Sequence, residues 1–155
     1  MMNNIHDKVF LDADQEVVEY DGSEIKWRVS AYAVIKKEDR IFIIKDKREK
    51  LYDIVGGGIE FGEDTNQALI RESLEEGGVK IDIGKILYSH VHWFYHKKQK
   101  AFYQTMRLFF RAELVGKITK PLEENIEFVG FVPIKDIGSK YRLPDIVEKI
   151  ILEQF

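Results

Sequence analysis

The sequence contains no cysteine, only three prolines and two tryptophans, and no long apolar run. Without cysteine there can be no disulfide, no thiolate metal site and no cysteine nucleophile. Any metal must then be held by oxygen or nitrogen. The prolines, Pro121, Pro133 and Pro144, all fall late, and no Pro/Ser-rich linker, repeat or low-complexity tract divides the 155 residues. One continuous domain over residues 1–155 is expected at this length. No stretch approaches the ~20 apolar residues that span a bilayer. The opening MMNNIHDKVFLDADQEVVEYDG is too polar for a signal peptide or anchor, so a cytoplasmic location without a membrane partner is expected. A net charge of −3 offers no general attraction for nucleic acid or anionic lipid. A phosphate-bearing ligand would have to be handled locally.

What is present reads as alternating strands and helices. KWRVSAYAVI (Lys26 to Ile35) and RIFIIKD (Arg40 to Asp46) are β-branched and aromatic runs separated by KKED, the pattern of a hairpin. VKIDIGKILYSHVHWFY and AFYQTMRLFFRAELVG predict two long antiparallel strands joined by the basic HKKQK, and IEFVGFVPI predicts another ending at Pro133. Asp64 or Thr65 can cap a helix carrying Leu69, Ile70 and Leu74 and ended by Gly77 and Gly78. A last helix starts near Pro144 with Ile146, Val147, Ile150 and Ile151 on one face. The fold class is α/β, a mixed β-sheet between helices. The first 25 residues alternate apolar positions, as expected of strands packed on the domain or at the interface of a homodimer.

Between Gly56 and Gly78 lie Glu60, Glu63, Asp64, Glu72, Glu75 and Glu76. On a helix Glu72, Glu75 and Glu76 share a face, with Ile70 and Leu74 expected opposite and Ala68 leaving room for a ligand one turn earlier. Like charges three and four apart repel, so helix stability does not explain the trio. Acidic helix faces are commonly just solvated, but a preceding three-glycine run changes the reading. A hard divalent cation takes oxygen ligands, and glycine lets backbone approach closely.

Gly57, Glu63, Arg71, Glu72, Glu75, Glu76, Gly78 and Val79 match G-x5-E-x7-R-E-U-x-E-E-x-G-U, where U is aliphatic. The chain thereby resembles the Nudix hydrolases across their signature box. Ser73 departs at the first U position; on the flank between the two faces, it should weaken packing slightly. The likeness extends to the first hairpin and to LYDIVGGGIEFGE, where Tyr52 and Val55 stand for the family's tryptophan and proline. It continues through FVGFVPIKDI, covering Lys26 to Ile137.

The resemblance implies an α/β/α sandwich and metal-dependent hydrolysis of a phosphoanhydride bond in a nucleoside diphosphate linked to X. Nucleoside triphosphates, dinucleoside polyphosphates, ADP-ribose and nucleotide sugars all meet that description. It implies Mg²⁺, with Mn²⁺ as an alternative, on Glu72, Glu76, Glu75 and the Gly56 carbonyl, and Arg71 paired with Glu63 to position the loop. Glu75 is one candidate for the carboxylate that takes the water's proton, and Glu124 and Glu127 rank ahead of Glu123 in a later loop. Substrate contacts are expected from Tyr95, 16 positions after Val79, and from His92. A zinc site on the histidines is not expected, because no carboxylate or cysteine lies nearby in sequence. The basic tip at Lys97, Lys98 and Lys100 could meet phosphates or simply be solvated. The alternative to an enzyme is a catalytically silent nucleotide-binding or regulatory module on the same fold, which typically lacks box glutamates that this chain keeps. An RNA end as substrate is disfavoured by the acidic balance and the lack of a basic stripe.

Overall fold

The computed structural model describes residues 4–155. Its element order is β1 (Phe10–Leu11), β2 (Val17–Val18), β3 (Ile25–Lys37), β4 (Arg40–Asp46), β5 (Val55–Gly58), α1 (Thr65–Gly77), β6 (Lys80–His96), β7 (Ala101–Val115), β8 (Ile126–Pro133) and α2 (Asp145–Gln154). Strand residues point alternately to the two faces of a sheet, and here both faces are apolar. Val34, Ile41 and Ile43 pack with Leu143, Val147, Ile150 and Ile151 of the α2 region. Ala33, Ile35, Phe42 and Ile44 pack with Leu69 of α1. Each large side chain buried this way contributes roughly 2 kcal/mol, and the runs are near-continuously hydrophobic because neither face meets water. One helix therefore covers each face of a mixed sheet, the sandwich expected from the sequence.

The sheet runs β2-β1-β6-β7-β3-β4-β8, with β5 added to β3. β3 and β7 are parallel from Ile25↔Phe102 to Ile35↔Ala112, a pairing that needs a long crossover, supplied by β4 through β6. β6 and β7 form the long hairpin read from the sequence, from Lys80↔Val115 to His96↔Ala101. The first hairpin is narrower than its sequence suggests. β3 and β4 pair only at Lys36↔Ile41 and Lys37↔Arg40, after which β4 continues with β8 and β5 takes the edge of β3 at Ser30 to Ala33.

The N-terminal extension packs on its own chain, although its first three residues lie outside the described ones. Leu11 pairs with Phe94, and Phe10 is fully buried with ring centroids 4.8 Å from Phe102 and 5.4 Å from Tyr20. Lys97 at the β6–β7 tip reaches back to Asp12 at 2.9 Å and Asp14 at 3.6 Å. That lysine is paired rather than merely solvated. Among the described residues no helix is long and apolar enough to cross a membrane.

Candidate active site

Helix α1 starts where its sequence directs. Asp64 accepts a bond from the N–H of Gln67 at 2.9 Å while the Gln67 side chain accepts from the N–H of Asp64 at 2.8 Å, a reciprocal capping box. It ends at Gly78, whose φ of 62° suits glycine. The buried stripe, however, is Ala68, Leu69, Glu72, Ser73 and Gly77, not the expected Leu69, Ile70 and Leu74. Ile70 is 46% exposed. Small residues decide this: a Cβ on Gly77 would meet Val55 Cγ1 at 2.9 Å, so the helix lies close on β5 along its Ala/Ser/Gly line. Ala68 is consequently covered, leaving no opening beside it, and Ser73 is fully buried, its Oγ without a hydrogen-bond partner. The face bearing Glu72 and Glu76 is turned inward.

Opposite that face, the glycines form strand β5 rather than a turn, and two of them meet two glutamates. The N–H of Gly56 donates to Glu76 Oε2 at 3.0 Å. A Cβ on Gly56 would lie 2.4 Å from the Ala31 carbonyl oxygen, and its φ is 152°, so only glycine fits. A Cβ on Gly57 would lie 2.6 Å from Glu72 Oε1. Three carboxylates are gathered by Arg71. Its Nε and Nη2 donate to Glu63 at 3.1 and 2.6 Å, Nη2 also to the Gly58 carbonyl at 3.0 Å, and Nη1 to Glu72 at 2.8 Å and Glu75 at 3.2 Å. One guanidinium thus ties the loop, the strand and the helix together. Burial raises the pKa of Glu72 against the opposing pull of Arg71. Burial and then the Glu72 charge hold Glu76 well above the ordinary carboxylate range.

These donors are all oxygen, two of them poorly solvated, and the excess negative charge would be relieved by a hard divalent cation. The residues fit such an ion. Among the described residues no three His, Asp or Glu side chains already stand together as a metal-holding group, and Arg71 engages Glu72 and Glu75.

Glu72, Glu76 and Gly56 to Gly58 line one end of a groove of about 340 Å³, and Glu123 lines it with them. The N–H of Glu123 donates to the Glu75 carbonyl at 2.9 Å. Glu124 and Glu127 do not line it; Glu124 is exposed and Glu127 lies 4.0 Å from Lys45. Of the later-loop carboxylates, the placement favours Glu123, ranked last from sequence.

Through Arg28, Tyr32, Asp53 and Phe94 the groove continues into a recess of about 90 Å³ that holds His92, Thr105 and Arg107. His92 is therefore brought near the groove. Tyr95 is not: strand parity turns it away from His92 and Phe94, and it packs on Phe102 at 4.8 Å. Burial and the nearby Arg107 charge depress His90 to about 4 and His92 to about 3, so both are neutral at pH 7. Asp53 is pushed up to about 6 by burial, against the pull of Arg107. Sequence reading missed Arg107 and Asp53. The available signal was parity, since Tyr103, Thr105, Arg107 and Phe109 share the buried face of β7, where a charge is out of place.

A family model, the NUDIX domain, matches residues 26–154, reaching through α2 and beyond the span inferred from motifs. Among solved structures the chain is similar to a MutT NUDIX hydrolase from Burkholderia pseudomallei at 22% identity and TM-score 0.66, covering 83% of this chain and 98% of that one. It is similar to a NUDIX hydrolase from Nitrosomonas europaea at 22% and 0.66, covering 83% and 88%. An ADP-ribose pyrophosphatase from Streptococcus suis aligns at 17% and 0.62, covering 82% and 90%. No curated protein matches. Box, sandwich and glutamate-lined groove agree with the matched span, and the chain belongs to the NUDIX domain family, that of the Nudix hydrolases.

Proposed function

We propose that the chain hydrolyses a phosphoanhydride bond in a nucleoside diphosphate linked to a further group X, with Mg²⁺ or Mn²⁺ held by Glu72, Glu76, Glu75 and the Gly56 carbonyl. The observation that carries this reading is the seating of Glu72 and Glu76 against Gly57 and Gly56 at the end of an open groove. Desolvated carboxylates there would repel a diphosphate unless a cation joined them. When bound, the cation supplies charge neutralisation and polarisation at the phosphates.

The chain's own residues do the rest. Arg71 holds Glu72 and Glu75 to the loop through five hydrogen bonds, and the Gly56 N–H orients Glu76. Glu123, facing the same groove, accepts the proton of the attacking water, with Glu75 the other candidate. The groove leads away from the glutamates toward Arg28 and Phe94, where X or the nucleoside would lie.

The test is a phosphate-release and chromatographic screen over nucleoside triphosphates, dinucleoside polyphosphates, ADP-ribose and nucleotide sugars, with and without Mg²⁺ or Mn²⁺. Cation-dependent turnover that falls by about 10³ or more in E76Q is expected. Folded protein with no turnover on any of them would instead favour a binding module.

A further inference from the structure

At the far end of the groove stands a buried charge with an unmet donor. Arg107 is 5% exposed, and its Nε has no hydrogen-bond partner among the described residues. Its guanidinium sits over Tyr32 at 5.0 Å and Phe109 at 5.1 Å, and it lines the recess of about 90 Å³. Leaving a buried guanidinium donor unmet is costly, and stacking pre-organises its planar fork for an acceptor edge. Asp53 lines the same recess with one oxygen, Oδ1, accepting from the Ile54 N–H at 2.8 Å.

We propose that this recess is the nucleobase subsite of the groove, in which Arg107 and Asp53 read acceptor and donor atoms on the edge of a neutral heterocycle. The inference rests on the proposed function for the substrate's being a nucleotide. Charge decides between a base and a second phosphate. Arg28 and Arg107 share the lining of the recess with Asp12 and Asp53, so carboxylates stand against a dianion there. A base carrying both C=O or ring nitrogen and N–H satisfies both Arg107 and Asp53. Tyr32, His92 and Phe94 add flat walls, and His92 is uncharged.

The end wall comes from outside the matched family span of 26–154. Asp12, Ala13 and Gln15 close the recess, and Asp12 is anchored by Lys97 and by the N–H groups of Asp14 and Glu16 at 2.8 and 3.0 Å. The N-terminal extension thus limits how large a base enters.

The experiment titrates the full chain, free of divalent cation, with guanosine, adenosine, uridine and cytidine by calorimetry. At least one should bind saturably, about tenfold or more weaker in R107M and unchanged in K140Q, outside the groove. A13W, which fills the recess from its end wall and leaves every charged residue in place, should also lose binding. Inorganic phosphate should not compete. Absence of saturable binding to the wild type, full affinity in folded R107M or A13W, or Arg107-dependent displacement by phosphate would overturn the assignment. Nucleoside binding by a protein that hydrolyses nothing would leave the subsite standing and remove the hydrolase reading. Turnover without nucleoside binding would do the reverse.

Discussion

A Cβ on Gly57 would stand 2.6 Å from Glu72 Oε1, so the absence of a side chain on the strand makes room for the carboxylate on the helix. Gly57→Ala should fold, because its backbone lies outside the left-handed region, yet displace Glu72 by a few tenths of an ångström or more. We expect kcat to fall about tenfold to a hundredfold with little change in melting temperature. Gly56→Ala meets backbone at 2.4 Å at a positive φ, and should lose several kcal/mol or fail to fold. Circular dichroism beside turnover separates the two. Equal loss of folding in both would sink the distinction.

Arg71 joins Glu63, Glu72, Glu75 and the Gly58 carbonyl. Arg71→Lys keeps a charge but cannot reproduce the fork. Turnover should drop at least about a hundredfold, whereas denaturant midpoints should report a loss of roughly 1–3 kcal/mol. Glu63→Gln, removing only the loop's share, should cost less on both scales. If Arg71→Lys turned over like wild type, the clamp would have no catalytic consequence.

How much of this was legible depended on how local the determining contacts are. The box, a helix cap at Asp64 or Thr65, and the β6–β7 hairpin are written in neighbouring residues and were legible, the structure choosing Asp64 as the cap. The inward side of α1 was not, because periodicity ranks Ile70 and Leu74 by hydrophobicity while the packing is set by Ala68, Ser73 and Gly77 against β5. Arg107 and Asp53 meet the groove only through the pairing of β3 with β7 and the Ile44↔Asp53 bridge, contacts made far apart in sequence. Tyr95 illustrates the same point: a residue count from the box does not fix strand parity, and parity placed it on the Phe102 side.

Cation binding should show itself in stability. Glu76 has a raised folded pKa, so its favourable contribution is present at low pH and lost as pH rises through that value. Without divalent cation, Glu76→Gln should therefore melt higher than wild type at pH 8. Mg²⁺ at 100 times its dissociation constant should stabilise wild type by about 2.7 kcal/mol and Glu76→Gln by far less, reversing the order. Differential scanning fluorimetry reads this directly; an identical Mg²⁺ response in both proteins would count against a cation on Glu76.

Ser73 occupies a position where the family pattern carries an aliphatic residue, and its buried Oγ has no partner. Replacing it by Ala removes the unmet hydroxyl and favours the helix. A gain of about 1 kcal/mol is expected in urea denaturation, with turnover unaltered because the side chain does not line the groove. A destabilised Ser73→Ala would mean that the hydroxyl is satisfied in solution.

Asp53 gives the pH dependence its sharpest test. Its folded pKa of about 6 lies above the ordinary 3.8 because burial outweighs the attraction of Arg107. A raised carboxylate pKa contributes stability that is complete below about 3.8 and lost as pH rises through about 6. Asp53→Asn removes the cost of burying the charge, so it should be more stable than wild type at pH 8 by up to about 3 kcal/mol. The difference should shrink below pH 6 and vanish near pH 4. The difference already includes the attraction of Arg107, and the loss of the carboxylate charge should also tip the recess toward anions. Chemical denaturation across pH 4–8 would follow both effects. A gain that persisted undiminished at pH 4 would show that Asp53 is not the titrating group.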